Sequence, residues 1–359
     1  MRVLKMDVQD RLTVNRLVRW QRQSVARSII PGERVSKCYR VRVRELVDVL
    51  RSQKFKRAHY GGLYTCGSVW HCPVCASKIT ERRRIELQQA IDQATKKGLS
   101  FFMVTWTLQH TKDDSLKDVR DSLGVALRKL RAGRWYQSFA ETWQISGNVT
   151  GSEITYGTEH GWHYHKHSIY FTSKTLSVAQ LANIQTELSL KYRQILDKMG
   201  RYAHPIIGVD VRSGDSGVAD YVAKYGQQKD ISNWSLAAEL TKGSSKVALQ
   251  EVDHFTPFEL LDLYLHQEDD GKLYREYAQT MKGDHQLRWS PGLRDLLGLD
   301  PEITDEELAT VQDDDAILFA QITIQQWRKI IKQEKRGHVL EAASMGDPDL
   351  FQKFLTTIK

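Results

Sequence analysis

Apolar and polar positions along the chain change period several times, and each change marks an element. From Ser77 to Lys97 (SKITERRRIELQQAIDQATKK) apolar side chains recur at helical spacing, and the pattern stops at Gly98. FFMVTWTL, Phe101 to Leu108, is rich in β-branched and aromatic residues and predicts a buried strand. Ser115 to Arg131 returns to helical spacing, with Leu116, Val119, Leu123, Leu127 and Leu130 on one face. Trp143 to Tyr156 predicts a second strand region, broken by glycines at 147 and 151, and His163 to Phe171 a third strand. Ser177 to Met199 predicts a long helix ending at Gly200. Pro205 to Val211 predicts a fourth strand, and Ser216 to Gln228 a further helix.

That order, β-α-β-β-α-β, predicts an α+β fold with a central antiparallel sheet of ferredoxin- or RRM-like arrangement. In such a sheet the first and third strands are central, so the histidine-bearing strand should lie beside FFMVTWTL. Beyond Lys229 the pattern reads as mostly helical. The expected organisation is a basic helical segment over 1–37, a metal-binding module and helix over 38–98, the sheet domain over 99–235, and a mainly helical region over 236–359.

Charge sharpens this picture. The 359 residues carry a formal net charge of +8, with a sequence pI of about 9.1. Basic runs such as KFKR (Lys54 to Arg57) and ERRR (Glu81 to Arg84) crowd the first quarter, whereas Asp300 to Asp315 is acidic. The excess suits a polyanionic partner, on whose bases aromatics such as Trp70 or Trp135 would stack if exposed, and both fit a core position equally well. No segment approaches the ~20 apolar residues of a membrane span, and the N-terminus lacks the apolar run of a signal peptide. No membrane association and a cytoplasmic location are therefore expected.

Four cysteines are present: Cys38, Cys66, Cys72 and Cys75. Three of them fall in YTCGSVWHCPVCASK, where CPVC is a CxxC knuckle. Without a secretion signal, a metal site is a better reading than disulfides. Zinc closes a tetrahedron of four such ligands when its role is structural, and Cys38 would be the fourth, with His71 and His59 as rivals.

His163, His165 and His167 alternate, so on a strand their imidazoles share one face. Three histidines grouped this way point to a metal ion. Glu153, on the preceding strand, could add a carboxylate. Imidazoles with one carboxylate leave coordination positions open, as a catalytic metal requires. The ligand types suit Mn2+ and Zn2+, while Mg2+ prefers oxygen. DYVAKYGQQK places Tyr221 and Tyr225 one helical turn apart, with Lys224 near the same side. A tyrosine hydroxyl titrates near pH ~10 when free, so a nucleophilic role needs such a cation nearby.

Taken together, FMVTWTL, GWHYHKHSIYF and YVAKYGQQK resemble, in order, the strand, histidine and tyrosine motifs of replication initiators of the HUH endonuclease superfamily, specifically the rolling-circle plasmid initiators. KCYR, CGSVWHCPVC and YREYAQTMKGDHQLRWSPGLRDLLGL are also similar to theirs, so the resemblance runs from about Cys38 to Leu299. Two positions depart from the pattern. Lys166 stands between His165 and His167, where a hydrophobic residue is usual. Tyr221 stands where many plasmid initiators have glutamate, which makes YVAKY similar to the two-tyrosine motif of phage gene A proteins.

The resemblance implies metal-dependent nicking and joining of DNA through a 5′-phosphotyrosine, to initiate and terminate rolling-circle replication. It implies Tyr225 first and Tyr221 second as nucleophile, assisted by Lys224. The catalytic Mg2+ or Mn2+ would be held by His165, His167 and Glu153, with His163 close by, and a structural Zn2+ by the cysteines. The expected partners are single-stranded or hairpin origin DNA, a separate helicase because no GxxxxGK[ST] loop is present, and a DNA polymerase, in a prokaryotic host. A two-tyrosine transposase and a non-catalytic zinc-containing DNA-binding regulator are the rival readings.

Overall fold

The computed structural model of the chain describes residues 8–214, 254–312 and 314–359. In chain order the first elements are α1 (Val8–Ile29), β1 (Val47–Ser52), β2 (Ala58–Gly61), α2 (Pro73–Lys96) and β3 (Ser100–Thr107). Next come α3 (Leu116–Arg131), α4 (Arg134–Thr142), β4 (Ile145–Gly157), β5 (Gly161–Thr172), α5 (Val178–Asp197) and β6 (Val209–Ser213). After residue 253 follow β7 (His254–Phe255), α6 (Leu260–Leu265), α7 (Lys272–Met281), β8 (Leu287–Trp289), α8 (Leu293–Leu297) and α9 (Asp305–Thr310). The last are β9 (Ala316–Ile322), α10 (Ile324–Lys332), α11 (Arg336–Ser344) and α12 (Pro348–Thr357). They group into two units, one of Met1–Ile79, Leu261–Arg275 and Ile303–Lys359, the other of Thr80–Leu260 and Glu276–Glu302.

The first unit holds an antiparallel sheet of order β2-β1-β9. Its outer strand β9 comes from the region that reads as helical, because the isolated run AILFAQI lacks a neighbour in sequence to pair with. Arg336, at the start of α11, is 1% exposed and donates to Gln23 Oε1 at 2.7 Å, Ser24 Oγ at 2.8 Å and Glu334 Oε2 at 2.9 Å. A guanidinium buried this deeply persists because each of these acceptors offsets lost hydration.

The second unit holds an antiparallel sheet of order β6-β3-β5-β4-β7, with β8 also paired to β4. β5 therefore runs between β3 and β4. One face of it is covered by α2 and α8, through a cluster that includes Leu87, Ile91, Met103, Val149, Ile169, Phe171 and Leu293. α3 buries its five expected apolar residues and begins at an N-cap, where Ser115 accepts from the Asp118 amide. α5 begins with a Ser177–Gln180 capping box.

Three local readings change. β4 is unbroken: a Cβ at Gly147 would lie 2.6 Å from Ser290 Oγ, so the glycine admits a close neighbour at a bulge instead of ending the strand. α4 was not foreseen, because its apolar positions are aromatic and follow α3 almost directly. β6 starts at Val209, since residues 205–207 form a turn. The helix expected over Ser216 to Gln228 lies outside the described residues, and so do Tyr221, Lys224 and Tyr225. No helix among the described residues is long and apolar enough to cross a membrane.

Candidate metal centres

The cysteines come together from three places. Cys38 follows the 3-10 turn Arg34–Lys37, Cys66 lies in the loop after β2, and Cys72 and Cys75 flank the first turn of α2. Pro73, the first residue of that helix, has no amide hydrogen to satisfy there. All four side chains are fully buried. Their sulfurs are 3.5 Å apart for Cys38–Cys75, 3.6 Å for Cys66–Cys75 and 3.8 Å for Cys72–Cys38. A tetrahedron with Zn–S bonds of about 2.3 Å has S···S edges of about 3.8 Å, whereas a disulfide needs about 2.05 Å. The donor set thus fits a closed zinc site.

Supporting donors point at the sulfurs as well. The Cys66 amide donates to Cys38 Sγ at 3.3 Å, the Cys75 amide to Cys72 Sγ at 3.4 Å, and the Gln23 side-chain Nε2 to Cys72 Sγ at 3.1 Å. Burial pushes the Cys38 thiol well above its ordinary value. At Cys72 burial acts the same way but is outweighed by the contacts from Cys38, Cys66 and Cys75, which hold that thiol well below it. Gly67, at φ 59°, lets the loop pass Glu306, whose Cα would stand 2.6 Å from an added Cβ. The four ligand atoms lie within 4.8 Å of one another, and neither His71 nor His59 belongs to that group. His71 Nδ1 instead stands 3.8 Å from Glu33 Oε2.

The histidines lie on β5, and the ladders fix what surrounds them. Thr105 and Thr107 of β3 stand opposite His167 and His165, and Gly151 and Glu153 of β4 stand opposite the same two residues. Directly opposed residues share a sheet face, so the threonines, histidines and Glu153 project together. His165 Nδ1 is 2.9 Å from Thr107 Oγ1, and His167 Nδ1 is 3.1 Å from Thr105 Oγ1. Glu153 reaches diagonally past side-chain-free Gly151, bringing Oε2 to 2.7 Å from His167 Nε2. Each imidazole is thus anchored through Nδ1 by a hydroxyl that either donates or accepts, leaving its tautomer adjustable.

His163 has different company. Its Nδ1 is 3.1 Å from His110 Nε2, its ring lies parallel to that of His165 at 6.4 Å, and His254 is 5.6 Å away. Burial, and then the neighbouring His110, His165, His254 and His160, hold its pKa down to about 4, so it is neutral at pH 7. The side chains that sequence reading missed are Thr105, Thr107 and His110. A signal for the threonines was present, since their spacing of two in FFMVTWTL matches that of the histidines.

The opposite face of β5 carries Lys166, whose pKa burial lowers to about 8. Of the aromatics expected to stack on bases, Trp70 is 3% exposed and is a core residue, its ring taken up by packing. Trp135 is half-buried and stacks on Phe139 at 5.3 Å.

No protein-family model and no solved structure matches the chain. Over 320 residues it is 27% identical to Protein rep of Streptomyces lividans, which covers 71% of this chain and 69% of that protein. Over 132 residues it is 27% identical to the neomycin resistance protein of Streptomyces cyanogenus, covering 30% of each.

Proposed function

We propose that this chain starts and ends rolling-circle replication by nicking and rejoining one DNA strand through a tyrosine. The observation that carries this reading is the convergence of His165, His167 and Glu153 on one face of the sheet, with both imidazoles anchored through Nδ1. The similarity to a protein named rep supports replication as the setting. We read the strand order β6-β3-β5-β4 as the split βαβ arrangement that holds the histidine strand rigidly at the centre.

The donor types of His165, His167 and Glu153 suit a divalent cation with open positions, although the three do not place their ligand atoms within 4.8 Å of one another. In this arrangement a hydrogen bond joins His167 Nε2 to Glu153, and these two groups would hold the cation in place of the proton they share. Mg2+ or Mn2+ held there would supply neutralisation of the scissile phosphate. Thr105 and Thr107 orient the imidazoles, and Glu153 contributes negative charge. The hydroxyl of Tyr225 or Tyr221 loses its proton, with Lys224 stabilising the phenolate, and attacks phosphorus. One P–O bond forms to the tyrosine and one breaks to the 3′ oxygen, which leaves protonated as a free 3′-OH. Because phosphoester bonds are exchanged one for one, rejoining needs no nucleotide cofactor.

The test is a labelled single-stranded origin oligonucleotide incubated with protein and Mn2+, then run in SDS. A covalent adduct is expected from the wild type and from at most one of Tyr225→Phe and Tyr221→Phe. Absence of any adduct on the cognate origin removes the covalent mechanism.

A further inference from the structure

On the far side of the sheet from the histidines, a half-open cavity of about 850 Å³ lies between α3 and the β4–β8 edge. That volume falls in the range of about 300–1,000 Å³ typical of ligand sites. Six cationic side chains line it: Arg120, Arg128, Arg131, Lys166, Lys282 and Arg288. Among the described residues two carboxylates do, and both are engaged, Asp121 by Lys117 and Arg120, Asp284 by Arg288.

Three of the cations matter most. Among the described residues no carboxylate lies within 4.0 Å of Arg128, Arg131 or Lys166. Arg131 Nη2 donates only to neutral oxygens: Thr150 Oγ1 at 3.1 Å, Ser168 Oγ at 3.0 Å and Tyr170 OH at 3.3 Å. Its Nε is buried with no hydrogen-bond partner in the described residues. A half-buried guanidinium whose Nε–H is unsatisfied carries a desolvation cost, which an anion bound at its Nη groups would offset.

The wall itself is consistent with a kept opening. Gly124 sits within α3, where glycine is a weak helix former, yet an added Cβ would meet nothing within 4 Å. Packing within the chain therefore does not demand glycine there, and a larger residue would project into the cavity.

We infer that this cavity binds phosphate groups, with Arg131, Arg128 and Lys166 as the ligating cations. Several uncompensated cations around one space favour a polyanion over a monocarboxylate, and the arginine forks match phosphate oxygens in pairs. The phosphates belong either to a nucleic-acid strand or to a free nucleotide. Only the first of these sources rests on the proposed DNA-nicking function.

Binding of tripolyphosphate and of a short oligothymidylate to the full chain, measured by titration calorimetry, tests this. Gly124→Trp should fill the cavity and weaken at least one probe about tenfold, with wild-type melting. Arg128→Gln, at an exposed position, should weaken binding about threefold and lower the salt slope by about one, and it decides the matter if Gly124→Trp does not fold. Loss of both probes assigns phosphate from any source, and loss of oligothymidylate alone assigns a strand. Unchanged binding of both probes in both variants overturns the inference. The covalent-adduct assay run in parallel keeps the two ideas apart. Adduct formation with variant-insensitive phosphate binding sinks only the cavity, and variant-sensitive binding without an adduct sinks only the nuclease.

Discussion

The cysteine and histidine clusters differ in closure. The cysteines are fully buried and all four sulfurs lie within 4.8 Å of one another, so the chain itself supplies a complete set of four ligands. On β5, by contrast, His167 is 7% exposed while His165 is half-buried, and their ring nitrogens are held by hydroxyls and a carboxylate. Among the described residues only the cysteines place three or more candidate ligand atoms within 4.8 Å of one another. A closed shell suits an ion that holds a fold together, and an open one suits an ion that must accept substrate. The same contrast separates their supports: backbone amides fix the sulfurs, whereas adjustable threonine hydroxyls fix the imidazoles.

The largest way to break this comparison is at the closed site. Cys66→Ser should lose the bound zinc and destabilise the first unit by more than about 4 kcal/mol, the exceptional end for a single substitution. Metal content by mass spectrometry and a thermal melt check it, and a zinc-free variant that melts like the wild type would end the structural reading.

At the open site the expected effect is on metal affinity and not on the fold. His165→Ala should weaken Mn2+ binding by more than the roughly 10–100-fold typical of a supporting residue, with zinc content unchanged. Loss of zinc from this variant would show that the two centres are not separable. A finer probe is Thr107→Val, which keeps the β-branched shape and removes the hydroxyl that holds His165. We expect Mn2+ affinity to fall about tenfold. Equal affinity would mean that strand packing alone orients the ring.

The smallest effect concerns acid. The hydrogen bond from Arg201, with help from the Thr111 amide, lowers the Asp114 carboxyl to about pH 2 from its ordinary 3.8. A depressed carboxyl stabilises the fold above its unfolded value, and that contribution is lost as pH falls from about 3.8 through about 2. Because the pair is near the surface, Asp114→Asn should cost less than about 1 kcal/mol at pH 7, and that cost should vanish only as pH falls below the folded value of about 2. Paired melts of variant and wild type across that window check this, and they subtract the ion pair from acid-driven loss of either metal.

Much of the candidate chemistry was legible in local spacing. Alternation puts His163, His165 and His167 on one face whatever lies beside them, and CPVC brings two sulfurs to one helix start. The apolar rows of α3 and α5 were equally plain, because each helix shows its buried face within its own sequence. Strand β9 was not legible, since AILFAQI pairs with β1 from the other end of the chain. The burial of Trp70 was also hidden, as a tryptophan beside basic residues looks the same whether it faces solvent or core.

By itself, then, the sequence determined which ligand types exist and which of them share a face, because both follow from side-chain chemistry and a local backbone period. The tertiary structure alone decided that Cys38 completes the sulfur group, and that Glu153 reaches His167 past Gly151. It also decided that His163 turns toward His110, and that Arg131 and Lys166 face a common cavity. Those outcomes depend on strand register and loop closure between residues far apart in the chain, which no local pattern encodes.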